Sequence, residues 1–140
     1  MRPAIPRPVL AAALTLASLA PAGAGKIPPP GYRCGYAMRL EFGLTDAGHD
    51  RLNRALEWLR FPRAAAEPGM VVVSWRKGRA LGGGPGGHVV RIIAKETECL
   101  AIVRDDLGTR RRNICSRLLG VVDPEGGLDV SRREPRRRPR

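Results

Sequence analysis

The sequence predicts a single α+β domain, with N-terminal helices packed on an antiparallel sheet of about four strands. Apolar residues recur at helical spacing between positions 34 and 59, and four short apolar runs typical of strands follow between positions 70 and 122. Helices and strands that are segregated along a chain favour an α+β class over alternating βαβ units. The chain has 140 residues, which suffices for one domain.

Both ends of the chain are expected to lie outside the domain, which is assigned to residues 32–124. Residues 1–24 predict a signal peptide, because arginines precede an apolar run of 12 residues at positions 9–20 and small residues at positions 22–24 suit cleavage. That run is shorter than the roughly 20 residues of a membrane-spanning helix. We therefore expect export to the periplasm or the extracellular space, with no transmembrane segment in the mature chain.

Residues 25–31 are a proline-rich lead-in, and residues 125–140 are expected to form a disordered tail. The last ten residues hold six arginines and no large apolar group, so they cannot bury enough surface to offset the entropy of ordering. On an exported protein with a net charge of +12, the arginine-rich tail favours an anionic envelope polymer over nucleic acid as partner, and a tail that only solubilises the chain is favoured over both. Nucleic acid is disfavoured because the few aromatic residues are not interleaved with basic ones.

The three cysteines are an odd number for an exported protein, in which thiols tend to pair. Cys99 and Cys115 are equidistant from Leu107, and the sequence between them contains a good turn at positions 105–108. A hairpin centred there would bring the two cysteines together as a disulfide and leave Cys34 free, unless a one-residue bulge moved them apart. No paired ligand spacing indicates zinc, and no cofactor is predicted.

The first helix is predicted over residues 34–42, ending at Gly43, so Cys34 falls in its first turn. The positive end of the helix dipole and the neighbouring Arg33 would stabilise a thiolate, whose pKa in such sites is about 3.5–7.5. The alternative, equally weighted, is that Cys34 is a small buried apolar residue.

A second helix is predicted over residues 52–59, because its apolar residues fall at i, i+3, i+4 and i+7. Asp50 is its expected N-cap and Pro62 its end. His49, in the polar loop before it, is expected to be a solvated surface residue rather than a catalyst.

The four strands are predicted at residues 70–75, 89–94, 99–103 and 114–122. Residues 76–87 are too rich in glycine for regular structure and are expected to be a mobile loop. His88 follows this loop at the start of a strand, where core packing is the default interpretation.

Cys34 and His88 together have the residue types of a thiol hydrolase. Such a site needs a nucleophile, a base, a polar group that orients the base, and a donor for the oxyanion. Asp105 and Asp106, at the end of the strand after that of His88, are candidates for the orienting group; the alternative, which base rates favour, is that both are hairpin turn residues only. The backbone N–H of Cys34 would serve as an oxyanion donor.

Several short motifs carry a resemblance to a known family. They are Tyr32-Arg33-Cys34-Gly35-Tyr36-Ala37-Met38-Arg39, Asn53-Arg54-Ala55 with Trp58, Pro68-Gly69-Met70-Val71-Val72-Val73, Gly87-His88-Val89 and Arg104-Asp105-Asp106. In order and spacing they resemble small secreted bacterial members of the NlpC and CHAP superfamily of papain-like cysteine amidohydrolases and peptidases. The resemblance covers residues 32–123.

The resemblance implies a papain-like fold and the cleavage of amide or peptide bonds in peptidoglycan. Cys34 would form an acyl-thioester, His88 would act as general base and then acid, and Asp105 would stand where an Asn or similar residue orients the histidine. Two features depart from the family pattern: Arg33 and Gly35 replace the usual aromatic neighbour of the cysteine, and the stretch before His88 is long and glycine-rich. The alternative is a catalytically inactive envelope protein that binds anionic polymers through its basic surface and arginine-rich tail.

Overall fold

The computed structural model describes residues 27–76 and 86–131. The predicted signal peptide, most of the glycine-rich loop and the last nine residues of the arginine-rich tail lie outside the described residues. Residues 125–131, which the sequence assigns to the tail, contact the body of the domain. Leu128 packs on the core, the Asp129 N–H donates to the Arg60 carbonyl at 2.9 Å, and the Arg60 guanidinium donates to the Val130 carbonyl at 3.1 Å.

The structure is α+β, as the sequence predicts, but its sheet has five strands rather than about four. A short 3-10 turn, Pro30–Tyr32, precedes the helix α1, Arg33–Glu41, and two 3-10 segments follow, Ala47–Asn53 and Ala55–Arg60. The strands are β1 (Val71–Ser74), β2 (His88–Lys95), β3 (Leu100–Asp105), β4 (Gly108–Asn113) and β5 (Leu118–Val122). None of the helices in this described part of the chain has the length and apolar character that a membrane crossing needs.

The additional strand is β4, with the sequence Gly-Thr-Arg-Arg-Arg-Asn. It has no apolar alternation because it is an edge strand whose residues are mostly exposed, and its pairing with β3 defines it instead. The sheet is entirely antiparallel in the order β4-β3-β2-β1-β5. One end of this sheet therefore gathers the last residues of β1 and β3 and the first residues of β2, β4 and β5.

The core consists of two clusters, one on each face of the sheet. On one face, α1 and the 3-10 segments cover alternate valines of the strands, with Trp58 fully buried among them. The other face carries a second apolar cluster built from Val72, Val90, Ile92, Val103 and their neighbours. Because both faces are covered, the continuous apolar run of β1 is buried at every position.

The second predicted helix is wrong in form, because the chain makes two 3-10 segments with an extended residue, Arg54, between them. Asp50 lies inside the first of these segments and is not an N-cap. The Leu52 carbonyl, which an α-helix would use for its own ladder, accepts a hydrogen bond of 2.7 Å from Trp58 Nε1. Packing of the tryptophan thus competes with regular helical pairing.

The predicted disulfide between Cys99 and Cys115 is present, with a Cα–Cα distance of 5.1 Å, and Cys34 is the free thiol. The hairpin is centred half a residue before Leu107, because Asp105 pairs with Gly108. Continuing this register sets Cys99 opposite Ile114 rather than opposite Cys115. The bridge closes because Cys115 lies beyond the ladder, where the chain leaves β4.

Candidate active site

His88 is placed by a glycine that no other residue could replace without strain. Gly87 has φ 112°, and a Cβ at this position would lie 3.0 Å from a methyl carbon of Leu56 and 3.1 Å from Cβ of Ala55. The chain therefore enters β2 in close contact with the 3-10 segment Ala55–Arg60. His88, the first residue of β2, is only 2% exposed.

Asp105, the last residue of β3, is buried against the imidazole of His88. Its Oδ2 lies 2.9 Å from His88 Nε2 and also accepts a hydrogen bond of 2.7 Å from Arg110. Its Oδ1 accepts from the Leu107 N–H at 2.9 Å. Burial raises the pKa of Asp105, but the hydrogen bonds from His88 and Leu107 and the charge of Arg110 together hold the pKa below its ordinary value. Asp105 is therefore an ionised acceptor.

The same pair defines the tautomer of His88. Burial lowers the pKa of His88, and the charge of Arg112 lowers it further, while the hydrogen bond and charge of Asp105 oppose the change. The net direction is downward, so the imidazole is neutral at pH 7. Because a carboxylate can only accept, the proton is on Nε2 and the lone pair is on Nδ1. Nδ1 is the nitrogen available as a base.

Cys34 is in the first turn of α1, as predicted, and its side chain is buried in the core on the helical side of the sheet. Burial raises the pKa of the thiol and the charge of Asp106 adds to this, whereas backbone N–H groups, chiefly that of Val89, act in the opposite direction. The expected thiolate with a lowered pKa is therefore wrong, since desolvation exceeds the effect of the helix start. The alternative, that Cys34 is a small buried apolar residue, fits its surroundings in the core.

The three predicted site residues are only partly brought together. His88 and Asp105 are in direct contact, and the sulfur of Cys34 lies against the backbone of Val89, the residue that follows His88. Among the described residues, no hydrogen bond joins the Cys34 sulfur to the imidazole. By strand alternation the His88 side chain lies on the face of Val90 and Ile92, whereas Cys34 lies on the helical face with Val89, so the thiol and the imidazole are on opposite faces of the sheet.

Of the two candidate aspartates, Asp105 makes the hydrogen bond and Asp106 is exposed. Ligand atoms of His88, Asp105 and Asp106 lie within 4.8 Å of one another, a spacing that could suit a metal ion. However, the Asp105 carboxylate is already engaged by His88 and Arg110. The arrangement fits an oriented histidine better than a cation site.

A feature that the sequence analysis missed is an arginine-lined cavity beside His88, with a volume of about 450 Å³. Besides His88, its lining includes Trp75, Leu107, Ser116 and the arginines Arg76, Arg110, Arg111, Arg112 and Arg117. The run of three arginines in β4 was the available signal, but without a recognised strand its position could not be deduced.

Comparison with known protein families, with curated proteins and with solved structures finds no match to this chain. By its fold and site, the protein is an α+β domain with a buried His–Asp pair at one end of a five-stranded antiparallel sheet.

The raised pKa of Cys34 predicts slow alkylation by iodoacetamide at pH 7 to 8. Only the thiolate reacts, and a pKa above the ordinary value near 9.0 means that less thiolate is present at a given pH than in an unhindered cysteine. The alkylation rate should rise with pH, and its midpoint should lie at a higher pH than for Cys34 in the urea-unfolded chain with the disulfide intact. Mass spectrometry of the labelled peptide measures both rates. A midpoint below pH 8 in the folded protein would contradict the expectation.

Proposed function

We propose that this chain is an exported, papain-like cysteine hydrolase of the NlpC/CHAP type that cleaves amide or peptide bonds in peptidoglycan. The observation that carries the proposal is the buried contact of 2.9 Å between His88 Nε2 and Asp105 Oδ2, next to the backbone on which the Cys34 sulfur rests. An ionised carboxylate that holds a neutral imidazole with a free Nδ1 is the arrangement a general base requires. Residues 1–24 support export.

In the acylation step, Nδ1 of His88 takes the proton of the Cys34 thiol as the sulfur attacks the carbonyl carbon. The C–S bond forms, and the oxyanion accepts hydrogen bonds from backbone N–H groups at the start of α1, that of Cys34 among them. His88 then gives its proton to the departing nitrogen as the C–N bond breaks. An acyl-thioester on Cys34 and a free amine result.

In the deacylation step, His88 Nδ1 takes a proton from water, and the hydroxide attacks the thioester carbon. The C–S bond breaks and the sulfur recovers the proton, which releases a carboxylic acid. Asp105 stabilises the imidazolium in both steps through its charge and its hydrogen bond at Nε2.

The raised pKa of Cys34 and the lowered pKa of His88 have a consequence for this mechanism. The resting pair is a neutral thiol and a neutral imidazole, so the proton must move during the attack itself. Catalytic hydrogen bonds often form fully only when substrate is bound. Because the thiol and the imidazole lie on opposite faces of the sheet, the proposed step requires the end of β2 to rearrange when substrate binds.

Incubation of residues 25–140 with purified peptidoglycan tests the proposal. We expect release of stem peptides, detected by mass spectrometry, and loss of this release in Cys34→Ala. Cys34→Ser is the matched variant that replaces the thiol by a hydroxyl and should also be inactive, since a serine is a much weaker nucleophile without a tuned base. Absence of release by the unmodified protein, or equal release by Cys34→Ala, would refute the enzymatic proposal.

The second candidate is a catalytically inactive envelope protein that binds anionic polymers. The raised pKa of the buried Cys34 and the arginine-lined cavity favour it. In that case the protein would sediment with peptidoglycan or another anionic polymer without releasing fragments, and Cys34→Ala would bind as the unmodified protein does. Loss of binding on removal of residues 132–140 would assign the interaction to the tail.

A further inference from the structure

The arginine-lined cavity lies at the end of the sheet where the His88–Asp105 pair is found. His88 forms part of its lining, so any molecule within the cavity is next to the imidazole. Arg110 and Arg112 lie on β4 on the face that also carries Asp105, because Val103 pairs with Arg110 and Ala101 with Arg112. Arg117 lies just before β5, and Arg76 lies just after β1.

The positive charge of the cavity is only partly compensated. Arg110 is paired with Asp105, and Arg111 with Glu96. Among the described residues, no ion pair to a carboxylate is formed by Arg112, Arg76 or Arg117. Like charges in one cavity repel, and a bound anion would relieve that repulsion.

Arg112 provides the second, independent observation. Its Nη2 donates a hydrogen bond of 3.2 Å to Ser74 Oγ, and Ser74 itself is only 3% exposed. Its Nη1 is buried, and the described part of the chain offers it no hydrogen-bond partner. A buried guanidinium nitrogen without a partner is unfavourable, and each such donor calls for an acceptor. The Ser74 contact holds the guanidinium in place at the wall of the cavity.

We propose that this cavity is a carboxylate-binding subsite, anchored by Arg112, that selects an acidic peptide as the substrate. A guanidinium presents parallel N–H donors that match the two oxygens of a carboxylate, and burial strengthens such charge-assisted hydrogen bonds. A carboxylate held here lies beside His88, so within the proposed function the acidic group of the substrate lies next to the imidazole. The inference rests on the proposed function for the reacting group beside the cavity.

The test uses the Cys34→Ala variant, which separates binding from hydrolysis. Two capped peptides serve as ligands: acetyl-Ala-Glu-Glu-amide, and acetyl-Ala-Gln-Gln-amide as its neutral isostere. Titration followed by NMR should show binding of the acidic peptide at least about tenfold tighter than that of the neutral one. Adding Arg112→Gln should abolish this preference.

Arg104→Gln is the matched control, because it removes the same charge from a residue that pairs with Glu41 outside the cavity. It should leave the affinity within about twofold, since an exposed pair contributes little. If Arg112→Gln does not fold, Arg117→Gln, an exposed member of the lining, replaces it and should also weaken binding of the acidic peptide.

Equal affinity for both peptides, or equal effects of Arg112→Gln and Arg104→Gln, would overturn the inference. Tighter binding of inorganic phosphate than of the acidic peptide would also overturn it, in favour of a phosphate polymer. Stem-peptide release without any preference for the acidic peptide would refute the subsite and leave the hydrolase. Preference without release would support the subsite and refute the hydrolase.

Discussion

Asp105→Asn should lower the rate of peptidoglycan cleavage by about 10²–10⁴-fold. The carboxylate accepts the Nε2 proton of His88 and so leaves Nδ1 as the base. An amide can turn its NH₂ group toward Nε2, which would move the imidazole proton to Nδ1 and remove the base. The amide also lacks the charge that stabilises the imidazolium. Stem-peptide release, measured as an initial rate, gives the size of the effect.

A structural role of Asp105 alone is separated from positioning of the base by the pKa of His88. Asp105 raises that pKa against the effect of burial, so Asp105→Asn should lower it further, as followed by NMR titration of the imidazole. Asp106→Asn is the matched control, since Asp106 is exposed and makes no hydrogen bond to the ring among the described residues. Equal losses of activity in the two variants would show that Asp105 has no special role.

Gly35→Ala should destabilise the protein by about 3 kcal/mol or more. A Cβ at position 35 would lie 2.6 Å from the carbonyl carbon of Asn53 and even closer to the carbonyl oxygens of Leu52 and Asn53. These are backbone atoms, and the Leu52 carbonyl is held by Trp58, so α1 would have to move away from the 3-10 segment. The midpoint of urea unfolding, with an unchanged slope, measures the loss.

Gly48→Ala is the matched control, because a Cβ there meets nothing within 4 Å and Gly48 does not have a positive φ. It should change the free energy of unfolding by less than about 1 kcal/mol. Similar midpoints for Gly35→Ala and Gly48→Ala would contradict the close packing of α1. The same contact explains why glycine, rather than an aromatic residue, follows Cys34 in this chain.

Features that depend on neighbours along the chain could be predicted from the sequence. The helix that begins near Cys34 ends at Glu41 and is closed by Gly43, whose φ of 67° is the left-handed conformation expected after a helix. The disulfide could be predicted because the turn at positions 105–108 brings its two sides together. The candidate site residues could be named by type, and the His88–Asp105 contact joins two of them.

Features that depend on distant contacts could not be predicted. The stripe over residues 52–59 has helical spacing, yet the Trp58 side chain takes the Leu52 carbonyl and the segment becomes two 3-10 pieces. Strand β4 has no apolar pattern, because only its pairing with β3 specifies it. The spacing of the cysteines indicated a register that the hairpin does not adopt.

The sequence by itself determined the α+β class, the pairing of Cys99 with Cys115 and the free state of Cys34, because each follows from local periodicity, turn chemistry or cysteine count. Only the tertiary structure decided the charge states at the site and the position of the arginines. Burial raises the pKa of Cys34 and lowers that of His88, and burial is a property of the packed fold. The cavity beside His88 exists because three connections of the sheet reach one end and bring arginines of β4 together with arginines next to β1 and β5.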